Sequence, residues 1–188
     1  MKRKIALIIS AILAVSAMVG CGGGSKGYEY TVEDGSLTIT LPNENWVSSG
    51  EDTEQGMYMF SLPATSDSAV ETGYDSDAFI MYFDLSAERG NMSYETIPTT
   101  QEELVESLGE ELDYEIISFE GSAGDDGVKS NMYTVKFKDS EGTEGYIVSK
   151  TSSSETEGYI AAGEVLAEDE ELLEDVENAI SSIVKNEQ

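Results

Sequence analysis

The sequence contains no histidine and a single cysteine, Cys21. Without an imidazole there is no Ser-His-Asp triad and no Cys-His pair, because those nucleophiles need a base beside them. The two shortages together remove the usual zinc sites, which are built from Cys and His. One thiol also leaves no disulfide within the chain, so the core is held by packing. Basic residues are scarce: ten Lys and Arg stand against 38 Asp and Glu. Nucleic-acid binding rests on clustered Lys and Arg facing phosphates, and this balance argues against it. The only tryptophan is Trp46, which gives little indole surface for sugar stacking. No Gly-x-Gly-x-x-Gly follows a strand-like run, and there is no P-loop. The one apolar run, residues 5–19, falls short of the roughly 20 residues that a membrane span needs.

What is present begins with the address. Lys2-Arg3-Lys4 precedes the apolar run, small residues close it, and Gly20-Cys21 follows. A basic start, an apolar stretch and small residues define a secretory leader. A cysteine at the first mature position makes this look like a bacterial lipoprotein signal, cut after Gly20, with a diacylglycerol on the Cys21 thiol. Met18 stands three residues before the cysteine, where Leu is more usual. An ordinary secreted protein with an incidental Cys21 is the other reading. Two acyl chains hold where one only visits, since each buried methylene contributes about 0.8 kcal/mol. Residues 22–27, Gly-Gly-Gly-Ser-Lys-Gly, then form a flexible leash. The expected organisation is a signal peptide over 1–20, a lipidated cysteine and linker over 21–27, and one domain over 28–188. The expected location is extracytoplasmic, tethered to the bacterial cell membrane.

Removing residues 1–20 removes three basic residues and no acid, so the remaining 168 residues carry seven basic against 38 acidic, a net charge of −31. That length supports one domain with a core of its own. Charge of this size keeps a domain soluble and off an anionic lipid face. It leaves a basic protein partner or a cation as the partners to expect besides the membrane.

Periodicity gives the elements. Leu37, Ile39 and Leu41 alternate with Thr38 and Thr40, the pattern of a half-buried strand. Strands are expected over 28–31, 37–41, 57–62, 77–85, 114–119, 132–137, 145–150 and 158–165. Residues 79–83, Phe-Ile-Met-Tyr-Phe, are continuously apolar or aromatic, which marks a central strand covered on both faces. Residues 63–75 read as a loop. Thr99 or Thr100 caps a helix that Gly109 ends early, with Glu102 and Glu103 at capping-box spacing. Leu172, Leu173, Val176, Ile180, Ile183 and Val184 recur at helical spacing. Acids at 168–171 suit that helix's N-terminus, and residues 186–188 are expected to fray.

Early strands, a mid-chain helix, a meander and a closing amphipathic helix make this chain resemble the PsbP/Mog1-like superfamily. Residues 37–46 (Leu-Thr-Ile-Thr-Leu-Pro-Asn-Glu-Asn-Trp) look like its early strand and turn. Residues 133–137, 145–148 and 158–162 look like its late meander, and 172–184 like its final helix. The resemblance implies an α+β fold, a twisted antiparallel sheet with helices on both faces. It also implies a mostly non-catalytic role, as extrinsic subunits, a Ran-binding factor or bacterial lipoproteins. The metal-binding histidines of the photosystem members have no counterpart here.

The remaining chemistry is thin. Ser182-Ile-Val-Lys185 matches Ser-x-x-Lys of penicillin-recognising enzymes but lacks the companion motifs and ends a helix. Paired carboxylates could do glycosidase work, yet with 38 acids some pair lies at any chosen distance. Asp75-Ser-Asp77 and Asp125-Asp126 offer oxygens to Ca²⁺ without EF-hand spacing. Ten tyrosines fall mostly in strands. Since Tyr is favoured at interfaces, Trp46, Tyr58 and Tyr74, near loops, are the candidate ligand-binding residues. No catalytic residue, metal site or cofactor is expected. The reading is a membrane-tethered, non-catalytic binding or accessory domain. A carboxylate-based envelope hydrolase and a purely structural envelope lipoprotein are its alternatives.

Overall fold

Leu37, Ile39 and Leu41 are buried while Thr38 and Thr40 between them stay partly open, so the period-2 pattern does place one strand face on a core. In a computed structural model, residues 27–32, 35–65, 76–85, 96–109, 113–125, 127–138, 142–166 and 169–186 are described. The elements run β1 (Tyr28–Thr31), β2 (Leu37–Leu41), β3 (Val47–Asp52), β4 (Met57–Pro63), β5 (Ser76–Asp84), α1 (Gln101–Leu108), β6 (Asp113–Ala123), β7 (Lys129–Lys138), β8 (Glu144–Ser153), β9 (Gly158–Val165), α2 (Glu170–Ser181) and β10 (Val184–Lys185).

The strands form two sheets, β1-β2-β10 and β3-β4-β5-β9-β8-β7-β6. Every pairing is antiparallel. The fold is therefore α+β, as the sequence implies. β6 to β9 form a meander, and β9 then inserts beside β5, which makes the apolar strand interior to the large sheet.

One layer of the core lies where α2 and the small sheet cover the large sheet. Val176, Ala179 and Ile180 of α2 pack with Ile80, Val148 and Ala161 and with the inward side of β2. The helix starts cleanly because the Asp169 carboxylate accepts from the amides of Glu171 and Leu172 at 3.1 and 2.9 Å. It approaches closely because Gly163 on β9 presents no side chain beneath it.

Alternation along β7 puts Met132 and Thr134 on the α2 side. Ser181 donates to the Met132 sulfur, and Thr134 donates to the Glu177 carboxylate. Asn131 lies on the reverse side, where its amide donates to the Pro98 carbonyl at 2.8 Å. The segment leading into α1 therefore runs over the face opposite α2. Thr100 caps α1 with both halves of the capping box, and Gly109 ends it at φ 72°.

Three expectations are corrected. No strand is expected between Trp46 and Met57, but residues 47–52 pair with β4 through a bulge near Ser49. That strand is mostly exposed and shows no alternation to read. The last helix stops at Ser181, so Ile183 and Val184 lie beyond it, and Val184 pairs with Thr38. Asn186 is not frayed: its amide donates to the Ser36 carbonyl at 2.9 Å, and its side chain donates to the Gly35 carbonyl at 2.8 Å. The Ser182 hydroxyl accepts from the Thr40 amide at 2.8 Å and donates to the Ala179 carbonyl at 2.7 Å, joining α2 to β2.

Candidate functional site

Strand register builds a groove on the α2 side of the large sheet. Three successive cross-strand rows show how. In the first, Ile80, Gly163, Val148 and Thr134 lie side by side beneath the helix. In the second, Tyr82, Ala161, Lys150, Met132 and Glu120 align across five strands, under the helix's C-terminal end. In the third, Asp84, Tyr159, Ser152, Ser130 and Ser122 align beyond that end. The helix stops between the second and third rows; polar side chains begin in the second row with Lys150 and Glu120 and fill the third. A groove of about 550 Å³ opens there, lined by these serines, Glu120, Met132, Lys150 and Tyr159.

Each wall has a structural origin. Helix α2 carries no basic residue in its last turn. Lys150 supplies the missing charge from β8: its ammonium donates to the Ser181 carbonyl at 2.9 Å and reaches that of Ile180 at 3.5 Å. A cation there complements the negative end of the helix dipole. Burial lowers the Lys150 pKa, as it does for any cation drawn out of water. At the β5 end, Lys185 pairs with Asp84 at 3.5 Å and with Glu157 at 3.4 Å. At the β6 end the hydroxyls of Ser122 and Ser130 share a 2.9 Å hydrogen bond.

Tyr159 is the aromatic wall. Its ring stacks on Tyr82 at 5.5 Å and 20°, and Tyr82 in turn sits 5.9 Å from Tyr58. This file of rings runs from the core to the groove and locks the Tyr159 plane. Burial raises the Tyr159 pKa, so the phenol stays protonated and able to donate.

Of the residues singled out from the sequence, Trp46 and Tyr58 are placed in the core. Trp46 is 2% exposed, and its indole N–H is buried with no hydrogen-bond partner among the described residues. Tyr58 is equally buried and shares a 2.8 Å hydrogen bond with the Ser36 hydroxyl. Both belong to the core cluster formed with side chains of β2, β4, β5 and α2; neither lines a recognition surface. Tyr74 lies outside the described residues, as do Cys21, the expected lipidation position, and residues 22–26. Of the oxygens considered for Ca²⁺, Asp77 is buried and accepts from the Thr65 amide and hydroxyl at 2.7 and 2.9 Å. Among the described residues no three Asp, Glu or Cys side chains gather as metal ligands. No helix among them is long and apolar enough to cross a membrane.

The groove residues were readable only in part. Along β8 the helix-facing positions run Tyr146, Val148, Lys150, Ser152, and the change to polar side chains in mid-strand signals the helix's end. Nothing local shows that serines from β6, β7 and β8 line up.

The molecule is thus an α+β domain with a polar groove at the end of its packed helix. No family model matches the chain, and no curated protein matches it. Among solved structures, one from Bacteroides thetaiotaomicron VPI-5482 is similar at 12% identity and a TM-score of 0.48, over 86% of this chain and 49% of that one. This chain spans about half the length of that protein. Cyanobacterial PsbP (CyanoP) from Synechocystis sp. PCC 6803 is similar at 14% identity and a TM-score of 0.46, over 90% of this chain and 99% of that one.

Proposed function

We propose that this chain is a lipid-anchored, extracytoplasmic binding domain without catalytic activity of its own. The observation that carries the reading is the leader over residues 1–20, ending at the only cysteine in the sequence. A glycine-rich run from 22 to 27 follows and leads directly into β1. The chemistry of the groove supports binding over catalysis. Its ammonium is committed to the end of α2, and no imidazole is available to activate a serine. The excess of acid keeps the domain dissolved and clear of an anionic membrane face while the acyl chains hold it near.

The test is detergent-phase partitioning combined with intact mass of the protein made in a bacterial host that processes lipoproteins. The native chain enters the detergent phase, with a mass that accounts for residues 21–188 plus a diacylglyceryl group. Cys21→Ala stays in the aqueous phase or keeps its leader. A native protein with an unmodified thiol refutes the reading.

A further inference from the structure

We infer that the groove at the end of α2 binds a neutral saccharide, with a pyranose ring against Tyr159 and its hydroxyls on the serine row. Three features point to this ligand. The first is shape and size: about 550 Å³ of open groove holds one or two sugar rings, and small-molecule sites span roughly 300–1,000 Å³. The second is the hydrogen-bonding array. Ser152, Ser130 and Ser122 stand on adjacent strands, whose backbones repeat at about 4.8 Å, and the Ser122 and Ser130 hydroxyls form a pair 2.9 Å apart. Hydroxyls both donate and accept, which suits a ligand whose own groups do the same. Ser152 has no side-chain hydrogen bond among the described residues, and neither does the Tyr159 phenol. Glu120 and Lys150 lie two strands apart in the neighbouring row, about 10 Å between their backbones. Glu120 accepts from sugar hydroxyls, and Lys150, which sets two of its three N–H groups on carbonyls of α2, donates the third to them.

The third feature is the ring. Trp46 is buried and cannot stack on anything outside. Tyr159 supplies an aromatic plane, held in place by the Tyr82 ring behind it. A locked ring loses little freedom when a ligand arrives, and preorganisation of that kind favours affinity. The sign of the charge decides between ligand classes. Glu120 and Lys150 offset each other, and a chain with 38 acids against ten bases repels anions. An uncharged, hydroxyl-rich ligand meets neither penalty.

This inference rests on the binding role proposed above, but not on the lipid anchor. The test uses the full-length protein extracted in a detergent without a sugar headgroup. It is titrated by calorimetry and by amide-resolved NMR with glucose, galactose and N-acetylglucosamine and their disaccharides. At least one saccharide should saturate the site, with a dissociation constant on the order of 1 mM or tighter, and shift amides in β6–β9. Ser152→Ala and Glu120→Gln, both at groove-lining positions outside the core, should each weaken it about 10-fold. Tyr159→Leu should abolish it, with the melting curve checked because the ring also packs on Tyr82. No saturation by any of the six sugars up to about 10 mM, or binding that both mild variants leave unchanged, overturns the inference. Binding of glycylglycine instead of a sugar also overturns it, in favour of a zwitterion bridging Glu120 and Lys150. Partitioning of the same preparation keeps the two claims apart: an anchored protein that binds no sugar sinks only the ligand, and an unmodified one that binds sinks only the anchor.

Discussion

Gly163 offers the sharpest test of how α2 sits on the sheet. A Cβ added there would lie 2.5 Å from a Val176 methyl, 2.9 Å from the Ile180 Cδ1 and 3.3 Å from the Phe79 carbonyl oxygen. Carbon atoms rest about 3.5–4.0 Å apart, so the Val176 contact is short by about 1 Å. The end of Ile180 can swing aside. Val176 cannot, because a β-branched residue in a helix has one strongly preferred χ1. The helix itself must move, and Val176 is fully buried at its centre. Overpacking of this sort costs about 1–3 kcal/mol. Against it, replacing glycine by alanine narrows the unfolded ensemble and returns about 0.4–1 kcal/mol. The net expectation for Gly163→Ala is a loss of about 1–2 kcal/mol, or about 2–8 °C in Tm for a chain of this size.

The assay is urea and thermal unfolding, followed by circular dichroism and by the fluorescence of Trp46. The single change does not by itself identify the clash, so the double mutant matters. Val176→Ala alone leaves a cavity and costs about 2 kcal/mol. In Gly163→Ala/Val176→Ala the new methyl occupies that space, and the combined loss should fall short of the sum by about 1 kcal/mol or more. Strict additivity, or a Gly163→Ala protein as stable as the parent, would show that the helix has room and that the packing argument is wrong.

Other perturbations probe the caps, the termini and the surface charge. Thr100→Ala removes the α1 cap and should cost about 1 kcal/mol, read from the same urea curves. Hydrogen bonds from the Thr99 amide, then from its hydroxyl, hold the Glu103 carboxyl below its ordinary 4.5. The stabilisation of the α1 N-terminus is therefore full above that pH and lost as pH falls through the lower folded value. Protection factors for amide exchange over residues 100–104, taken against the intrinsic rate at each pH, should fall between pH 6 and 3, and equal protection at both would contradict the assignment. For Asp175, partial burial first, then repulsion from Glu171, Glu174 and Asp169, raises the carboxyl pKa. Its charge thus costs stability at neutral pH and not below its unfolded value. Asp175→Asn should stabilise at pH 7 by about 0.5 kcal/mol or less after solvent screening, with the gain gone near pH 3. Asn186→Ala should cost about 1–2 kcal/mol, because it removes side-chain bonds to the Gly35 carbonyl and the Thr38 hydroxyl; a frayed tail would show no change.

The sequence was legible wherever structure depends on neighbours along the chain. Period-2 alternation located β2 to the residue, and the Thr-x-x-Glu spacing located the α1 cap. Where a pattern outran its local cause, the reading failed. Ile183 and Val184 continue the apolar spacing of α2, yet they leave the helix because Ser182 is held by the Thr40 amide, 142 residues earlier in the chain. With the helix stopped there, Val184 and Lys185 can pair with β2. Trp46 and Tyr58 stood near turns and invited a surface role. Their burial follows from how β1, β2 and α2 close over β4 and β5, which no window of sequence contains.

The candidate site shows the same limit from the other side. Its residues come from four strands, and each is unremarkable in its own segment. Ser122 and Ser130 meet only because a bulge near Ile117 shifts β6 against β7 before the two strands reach that level. Without that extra residue, the period of two would turn Glu120 and Ser122 to the reverse face of the sheet. The groove would lose both its carboxylate and one end of its hydroxyl row. The bulge is therefore as much a part of the site as the side chains that line it, although Ile117 itself touches the groove nowhere and is half exposed at the sheet's edge.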